Sequence, residues 1–300
     1  MKILNFGSLN VDYVYAVDYF VRAGETLNSI SRKVVPGGKG LNQSIALARA
    51  GAQVFHAGCI GPEGEFLRAM LEENGVDTSC LRSLDEMQGH AIIQVDRKGE
   101  NCILLYGGTN RLITAAQIDE TLANFGGDDW LVLQNEVNDL PAIVDAAHAR
   151  GMHIVLNPSP YDDGLKAVDF GTLSWLLVNE VEASQCSGSD DPEKAWDVLH
   201  ERYPGLSVLI TLGGAGSIAH RVTEGGVETV RQQAFRADAV DTTAAGDTFT
   251  GYFIGGLAEG RTLADSMRRA SMASSISVTR PGAAVSIPMR SEVEERLEKQ

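Results

Sequence analysis

Short apolar runs at residues 2–7, 53–59, 130–134, 153–157, 175–178 and 208–212 alternate along the chain with segments of helical spacing. Runs of that length without polar alternation suit strands buried on both faces, as in a parallel sheet covered by helices. The helical segments carry their own punctuation. Residues 40–50 place Leu41, Ile45 and Ala48 on one face, and residues 63–74 do the same with Phe66, Leu67, Met70 and Leu71 before Gly75, a C′ glycine. Residues 140–150 are begun by Asp139, carry Pro141 in the first turn and stop at Gly151. The alternation predicts an α/β fold with a central, mostly parallel sheet flanked by helices.

Two regions break the rhythm. Residues 9–35 begin with alternating Val11, Tyr13, Tyr15 and Val17, and residues 89–106 read as a hairpin around Asp96-Arg97-Lys98-Gly99-Glu100. Strands outside the βα alternation predict a small β-sheet inserted as a lid over the carboxyl ends of the main sheet. With no internal repeat and no evident linker, residues 1–300 are expected to form one domain, with lid strands from about 9–35 and 89–106. The lid's exposed strands need covering, and the same sheet of a second copy is the expected cover, giving a homodimer.

A formal net charge of −15 argues against a general nucleic-acid binder. No apolar run approaches the ~20 residues that span a membrane, and residues 1–7 look like a first strand and not a signal peptide. Cys59, Cys80, Cys102 and Cys186 are scattered, with no CxxC pair, so neither a zinc site nor a disulfide framework is indicated. A cytoplasmic enzyme is the expectation.

The segment Asp241-Thr242-Thr243-Ala244-Ala245-Gly246-Asp247-Thr248-Phe249 runs into an apolar stretch that reads as a helix. Small residues and a glycine at a helix start leave N–H groups free for an anion. A carboxylate at the same end makes chemical sense as a base beside a bound phosphoryl group. The competing reading is a simple N-cap.

Other segments are equivocal one by one. Pro36-Gly37-Gly38-Lys39-Gly40-Leu41-Asn42 opens a helix with glycines and a lysine but is not a G-x-x-x-x-G-K-[ST] phosphate loop. Asn10 and Asp12 share one face of a strand, where they suit paired hydroxyls or an edge charge. Glu136 follows a strand at a position where α/β ligand sites form. Asn179-Glu180-Val181-Glu182 offers oxygen groups for water-mediated Mg²⁺, and equally reads as a helix start capped by Asn179. Thr211-Leu212-Gly213-Gly214-Ala215-Gly216 follows a buried strand, fails G-x-G-x-x-G and precedes another strand, which suits a glycine turn beneath a nucleotide.

In this order and spacing, these segments resemble the ribokinase branch of the PfkB carbohydrate kinase family across essentially the whole chain. Both blocks are present, the early Gly37-Gly38-Lys39-Gly40-x-Asn42 and the late Asp241-Thr-x-Ala-Ala-Gly-Asp247-Thr-Phe. The resemblance implies an ATP- and Mg²⁺-dependent sugar kinase, with K⁺ as monovalent activator. By resemblance, Asp247 is the base, and the N–H groups of Ala244, Ala245 and Gly246 are the anion hole. Asn10, Asp12, Gly38, Lys39, Asn42 and Glu136 would hold the sugar. Thr211, Gly213, Gly216, Asn179, Gly246 and Ser271 would line the nucleotide site, with Asn179 and Glu182 organising Mg²⁺. Asp241, Thr243, Ser277, Arg280, Gly282 and Ser286 match monovalent-cation positions. Ser271 replaces a bulkier polar residue common in that branch. Ala-Ala-Gly-Asp resembles ribokinases more than the Gly-Ala-Gly-Asp of fructokinases and adenosine kinases, so the expected reaction is transfer of the γ-phosphoryl group to the 5-hydroxyl of D-ribose. The alternatives are another acceptor (2-deoxyribose, a hexose such as fructose, a nucleoside) or a non-catalytic sensor.

Overall fold

In the computed structural model, which describes residues 1–300, the chain opens with strand β1 (Ile3–Phe6), two lid strands β2 (Asn10–Ala16) and β3 (Ser31–Gly37), and helix α1 (Lys39–Arg49). It continues through β4 (Val54–Ile60), α2 (Glu65–Glu73), β5 (Leu81–Ser83), the hairpin β6 (His90–Val95) and β7 (Asn101–Tyr106), and α3 (Ala115–Leu122). The alternating part follows as β8 (Trp130–Gln134), α4 (Leu140–His148), β9 (His153–Asn157), β10 (Trp175–Asn179), α5 (Glu180–Ser187), α6 (Pro192–Arg202) and β11 (Ser207–Thr211). Strands β12 (Ser217–Thr223) and β13 (Gly226–Gln232) and helices α7 (Ala245–Ala258), α8 (Leu263–Ser277) and α9 (Arg290–Glu298) complete the chain.

The nine-stranded sheet has the order β13-β12-β11-β10-β9-β8-β1-β4-β5. All neighbours from β5 to β11 pair in parallel, while β12 and β13 add an antiparallel edge. Every residue of β1 and β8 is buried, which is why those strands read as mainly apolar runs, broken only by the buried amides Asn5 and Gln134. Alternate residues feed two cores. Ile3, Trp130, Val132 and Val155 pack with Leu41, Phe253 and Met267 on the α1, α7 and α8 side. Leu4, Phe6, Leu131, Leu133 and Ile154 pack with Ile118, Ile143 and Leu199 on the α3, α4 and α6 side. The chain leaves β1 towards β4 on one side and returns at β8 on the other, so the strand order reverses at β1. A crevice opens at such a point beyond the carboxyl ends.

The second sheet, β3-β2-β6-β7, is the expected lid. Its β6–β7 turn is closed by the Asp96 carboxylate, which accepts from the N–H groups of Lys98 (2.8 Å) and Glu100 (3.0 Å), with Gly99 at φ 82°. Two details differ from the sequence reading. The helix expected over 63–74 begins with a separate 3₁₀ turn, Pro62–Gly64, and becomes α-helical only at Glu65. Asp139 precedes α4 as expected, but it sits at φ 54° and its side chain caps nothing; its carboxylate accepts from Asn138 Nδ2 at 2.9 Å instead.

Helix α1 docks on α7 at glycine. A Cβ on Gly251 would lie 2.3 Å from Ala46 Cβ and 2.7 Å from the Leu47 amide nitrogen. Gly7, at the end of β1, is equally tight, with Gly40 Cα 2.7 Å from where its Cβ would be. Gly251→Ala therefore has to push α1 and α7 apart. Overpacking of this kind costs about 1–3 kcal/mol, expected as a Tm lower by roughly 3–10 °C in thermal unfolding. An unchanged Tm would show that the two helices are free to separate.

Candidate active site

The carboxyl ends of the parallel strands gather the polar residues. Just beyond β8, Glu136 Oε2 accepts from the Lys39 N–H at 3.0 Å and from the Ser8 hydroxyl, which follows β1. Gly38 makes this approach possible: at φ 96° it turns the lid strand β3 into α1. Burial, foremost, raises the pKa of Glu136, and Lys39 with the Ser8 hydroxyl only partly offsets it. Burial likewise works against the Lys39 ammonium, but the carboxylates of Asp247, Glu136 and Glu182 outweigh it and hold that lysine above its ordinary value.

Asp247 lies in the first turn of α7 and is 7% exposed. Its carboxylate is held by two amides of α1: Asn42 Nδ2 donates to Oδ2 and Gln43 Nε2 to Oδ1, both at 3.0 Å. The preceding residue of the helix start, Ala244, is left-handed at φ 59°. For a residue with a Cβ this conformation costs on the order of 1 kcal/mol and tends to mark functional turns. It frees donors. The first bond into the helix is Thr248 N–H to Ala244 O at 2.8 Å, and the N–H groups of Ala244, Gly246 and Asp247 have no protein acceptor. The Ala245 N–H, by contrast, donates to Thr242 O at 3.2 Å. Of the expected 244–246 set, Ala244 and Gly246 thus keep free donors, and Asp247 adds a third.

A polar cavity of about 250 Å³ faces this turn, walled by Lys39, Asn157, Asn179, Glu182 and Thr250. A second cavity of about 600 Å³ is walled by Gly213, Gly216, Phe235, Phe249 and Ser271, and the two share Thr211, Thr242, Ala245 and Gly246. A long ligand with one anionic end and one flat, less polar end fits the pair. Asn179 and Glu182 meet both sequence readings. They form a capping box, Asn179 Oδ1 accepting from Glu182 N–H at 2.9 Å and Glu182 Oε2 from Asn179 N–H at 3.1 Å, and both line the cavity. Glu182 Oε1 has no protein partner. No group of three or more His, Cys, Asp or Glu side chains is placed to hold a metal. A divalent ion here would take most of its ligands from phosphate and water, as Mg²⁺ commonly does.

On the lid side, Asp12 has its pKa raised to about 7, by burial first and by Glu136 second. Its carboxylate lies over the Gly37 backbone: a Cβ there would be 2.0 Å from Asp12 Oδ2. No protein donor reaches it. Asn10 Oδ1 accepts from Asn110 Nδ2 at 2.7 Å, which leaves the Asn10 amide hydrogens free. Asn42 Oδ1 is buried without a partner. Ser8, Gln43, Asn110 and Asn157 thus belong to the site though sequence reasoning passed over them. Ser8 had a signal in its place after a parallel strand; the others looked like ordinary polar positions.

The remaining predicted residues form a third cluster behind the turn. Asp241 Oδ1 accepts from Thr243 N–H (2.9 Å) and Oγ1–H (2.6 Å), and Oδ2 from Gly282 N–H (2.8 Å). Burial pushes this carboxyl up, but the donors of Thr243 and Gly282 prevail and hold it below its usual range. Ser277 and Ser286 hydroxyls lie 2.8 Å apart, and the Arg280 side chain turns away to Glu292.

A carbohydrate-kinase family model, "pfkB family carbohydrate kinase", matches residues 1–290. Ribokinase of Haemophilus influenzae is 36% identical over 307 residues, covering 97% of each chain, and that of Bacillus subtilis is 35% identical over 300 residues, covering 99% of each. Among solved structures, a ribokinase from Cryptococcus neoformans in complex with ADP superposes with TM-score 0.85 at 36% identity, over 98% of this chain and 99% of that one. Arabidopsis thaliana ribokinase complexed with ribose and ATP gives TM-score 0.86 at 27% identity, over 99% of this chain and 98% of that one. The likeness runs over nearly the full length of these relatives, and the chain belongs to the PfkB carbohydrate kinase family, in its ribokinase branch: an ATP-dependent phosphotransferase acting on sugars.

Proposed function

We propose that the enzyme transfers the γ-phosphoryl group of ATP to the 5-hydroxyl of D-ribose, with Asp247 as general base. The observation that carries this reading is a pairing of unmet needs. Asp12 and Asn42 Oδ1 lack donors on the lid side of Asp247, while Gly246 and Asp247 N–H lack acceptors on the other. A sugar hydroxyl supplies donors to the first set, and a phosphoryl group supplies acceptors to the second. The curated relatives named ribokinase, and the relative solved with ribose and ATP, favour ribose.

ATP would lie with its base in the larger cavity, over Gly213, Gly216 and Ser271, and its phosphates in the smaller one. Asn10, Asp12, Gly38, Lys39, Asn42 and Glu136 would surround the sugar. Asp247 takes the proton of the 5-hydroxyl as that oxygen bonds to the γ-phosphorus. The bond from phosphorus to the bridging oxygen breaks in line, and its electrons leave with ADP. Lys39 and the free N–H groups stabilise charge on the transferring oxygens, so catalysis is mainly positioning and electrostatics. Magnesium, held by phosphates and water against Asn179 and Glu182, would neutralise phosphate charge. The oxygen-rich cluster of Asp241, Thr243, Ser277, Gly282 and Ser286, with the Arg280 main chain, is our candidate for a monovalent cation such as K⁺, which would stiffen the loop leading into the α7 turn. The lid exposes Ile103 (55%) and Leu104 (68%) on its edge strand β7, and a second copy covering that sheet would make the homodimer.

Asp247→Ala is expected to lower kcat by about 10²–10⁴-fold with the fold intact; a fully active variant would remove Asp247 from the base role. Asp12 gives a second test, with a definite sign. Its folded pKa of about 7 lies above the ordinary aspartate value of 3.8, so the folded state holds the proton more tightly than the unfolded one. Stability attached to this group is full below the unfolded value and lost as pH rises towards 7. In ligand-free protein, Asp12→Asn should therefore raise Tm by roughly 2–5 °C at pH 8, with the difference vanishing near pH 4. The same variant should raise the ribose KM about tenfold or more, and the parent's KM should fall as Asp12 ionises through about pH 7. A variant with unchanged KM would make Asp12 structural.

A further inference from the structure

Three linked amides, of which Gln43 touches Asp247, are given no role in the phosphoryl transfer above. Asn5, Gln43 and Gln134 are fully buried where β1, β8 and α1 meet, and none of them lines either cavity. Their hydrogen bonds form one chain with a fixed sense. The Gly40 carbonyl can only accept, so Asn5 turns Nδ2 to it (2.8 Å) and gives its second hydrogen to Ser44 Oγ (2.8 Å). Asn5 Oδ1 then accepts from Gln134 Nε2 at 2.9 Å, and the other Gln134 hydrogen goes to Gln43 Oε1 at 2.7 Å. Gln43 is left with Nε2 towards Asp247 Oδ1 (3.0 Å) and Asn157 Oδ1 (3.2 Å). Asn157 is fixed independently, because its Nδ2 donates to Leu177 O at 3.0 Å.

Every amide hydrogen of Asn5, Gln134 and Gln43 is used, and inverting any one amide would set oxygen against oxygen or NH₂ against NH₂. The arrangement leaves Gln134 Oε1 buried without a partner, beside Gly7, where a Cβ would come within 2.5 Å of it. Burying an unpartnered carbonyl is costly, and here it is the consequence of turning both Gln134 hydrogens inward.

We propose that Gln43 is a positioning residue for Asp247, with its donor held towards the base by Gln134 and Asn5. The inference rests on Asp247 being the base. Of the two amides on that carboxylate, Asn42 is also a candidate sugar contact, whereas Gln43 is sealed from both cavities. With one donor on each oxygen the carboxylate cannot turn, and its remaining lone pairs stay aimed at the incoming hydroxyl.

The test compares Asp247→Asn, Gln134→Met and Gln43→Glu by kcat and KM across a pH series, with thermal unfolding as the fold check. Gln134→Met should lower kcat about tenfold, the scale of one hydrogen bond to a charged group. It should leave both KM values within about twofold and move the acid limb of kcat to higher pH, since a carboxylate deprived of a well-aimed donor takes a proton more readily. Gln43→Glu keeps the side chain's shape but donates only when protonated, so its kcat relative to the parent should rise as pH falls. Should Gln134→Met fail to fold, Gln43→Glu carries the test alone. If Asp247→Asn is inactive while the glutamine variants keep the parent's pH dependence, whatever their Tm, positioning is overturned and the base assignment stands. An active Asp247→Asn overturns the base assignment and positioning with it.

Discussion

The contact between α1 and α7 is the constraint on which the site depends. Helix α1 brings Lys39, Asn42 and Gln43, and helix α7 brings Asp247 and the free N–H groups. Their backbones approach to a distance that only Gly251 allows. The same closeness recurs at Gly7 and Gly40, where β1 passes under the start of α1. Side chains from distant parts of the chain are thereby set within hydrogen-bond distance of one carboxylate. A larger residue at these crossings would act on the chemistry through position alone.

Electrostatics adds a second constraint. Lys39 stands among Asp247, Glu136 and Glu182, and Asp12 lies close enough to Glu136 to have its ionisation opposed. Acidic side chains thus outnumber basic ones in the pocket, in a chain whose net charge is already −15. Polyphosphate would be repelled by side chains alone. Under the proposed assignment, the uncancelled N–H groups of the α7 turn together with Lys39 would draw it, and a divalent ion brought with the nucleotide would supply the remaining neutralisation. The raised Asp12 and the left-handed Ala244 both sit at positions that cost the fold something, as functional positions often do.

Much of the fold was legible because parallel strands buried on both faces leave mainly apolar runs without polar alternation; β1, β8, β9, β10 and β11 were readable for that reason. The lid strands were readable from alternation and from the Asp96–Glu100 turn. Strand β13 was not: it is largely exposed at an antiparallel edge, so no hydrophobic pattern marks it. Asp247 stood out because a carboxylate in a turn built to attract anions is a local contradiction. Asn179 and Glu182 could be read two ways, as cap and as ligand site, and the geometry shows a capping box set on the cavity wall. Gln43, Gln134 and Asn110 were invisible because a buried amide in sequence looks like any polar position. Their meaning lies in partners 91 and 100 residues away.

Whether a lid-held furanose presents its 5-hydroxyl to Asp247 is tested most directly by ADP release with Mg-ATP and K⁺ over ribose, 2-deoxyribose, fructose and adenosine at equal concentration. The expected result is the highest kcat/KM on ribose, a marked loss on 2-deoxyribose because a group built to bond a hydroxyl is left unpaired, and phosphate found on the 5-position of the product. Equal turnover on ribose and 2-deoxyribose, or preference for a hexose or nucleoside, would contradict it.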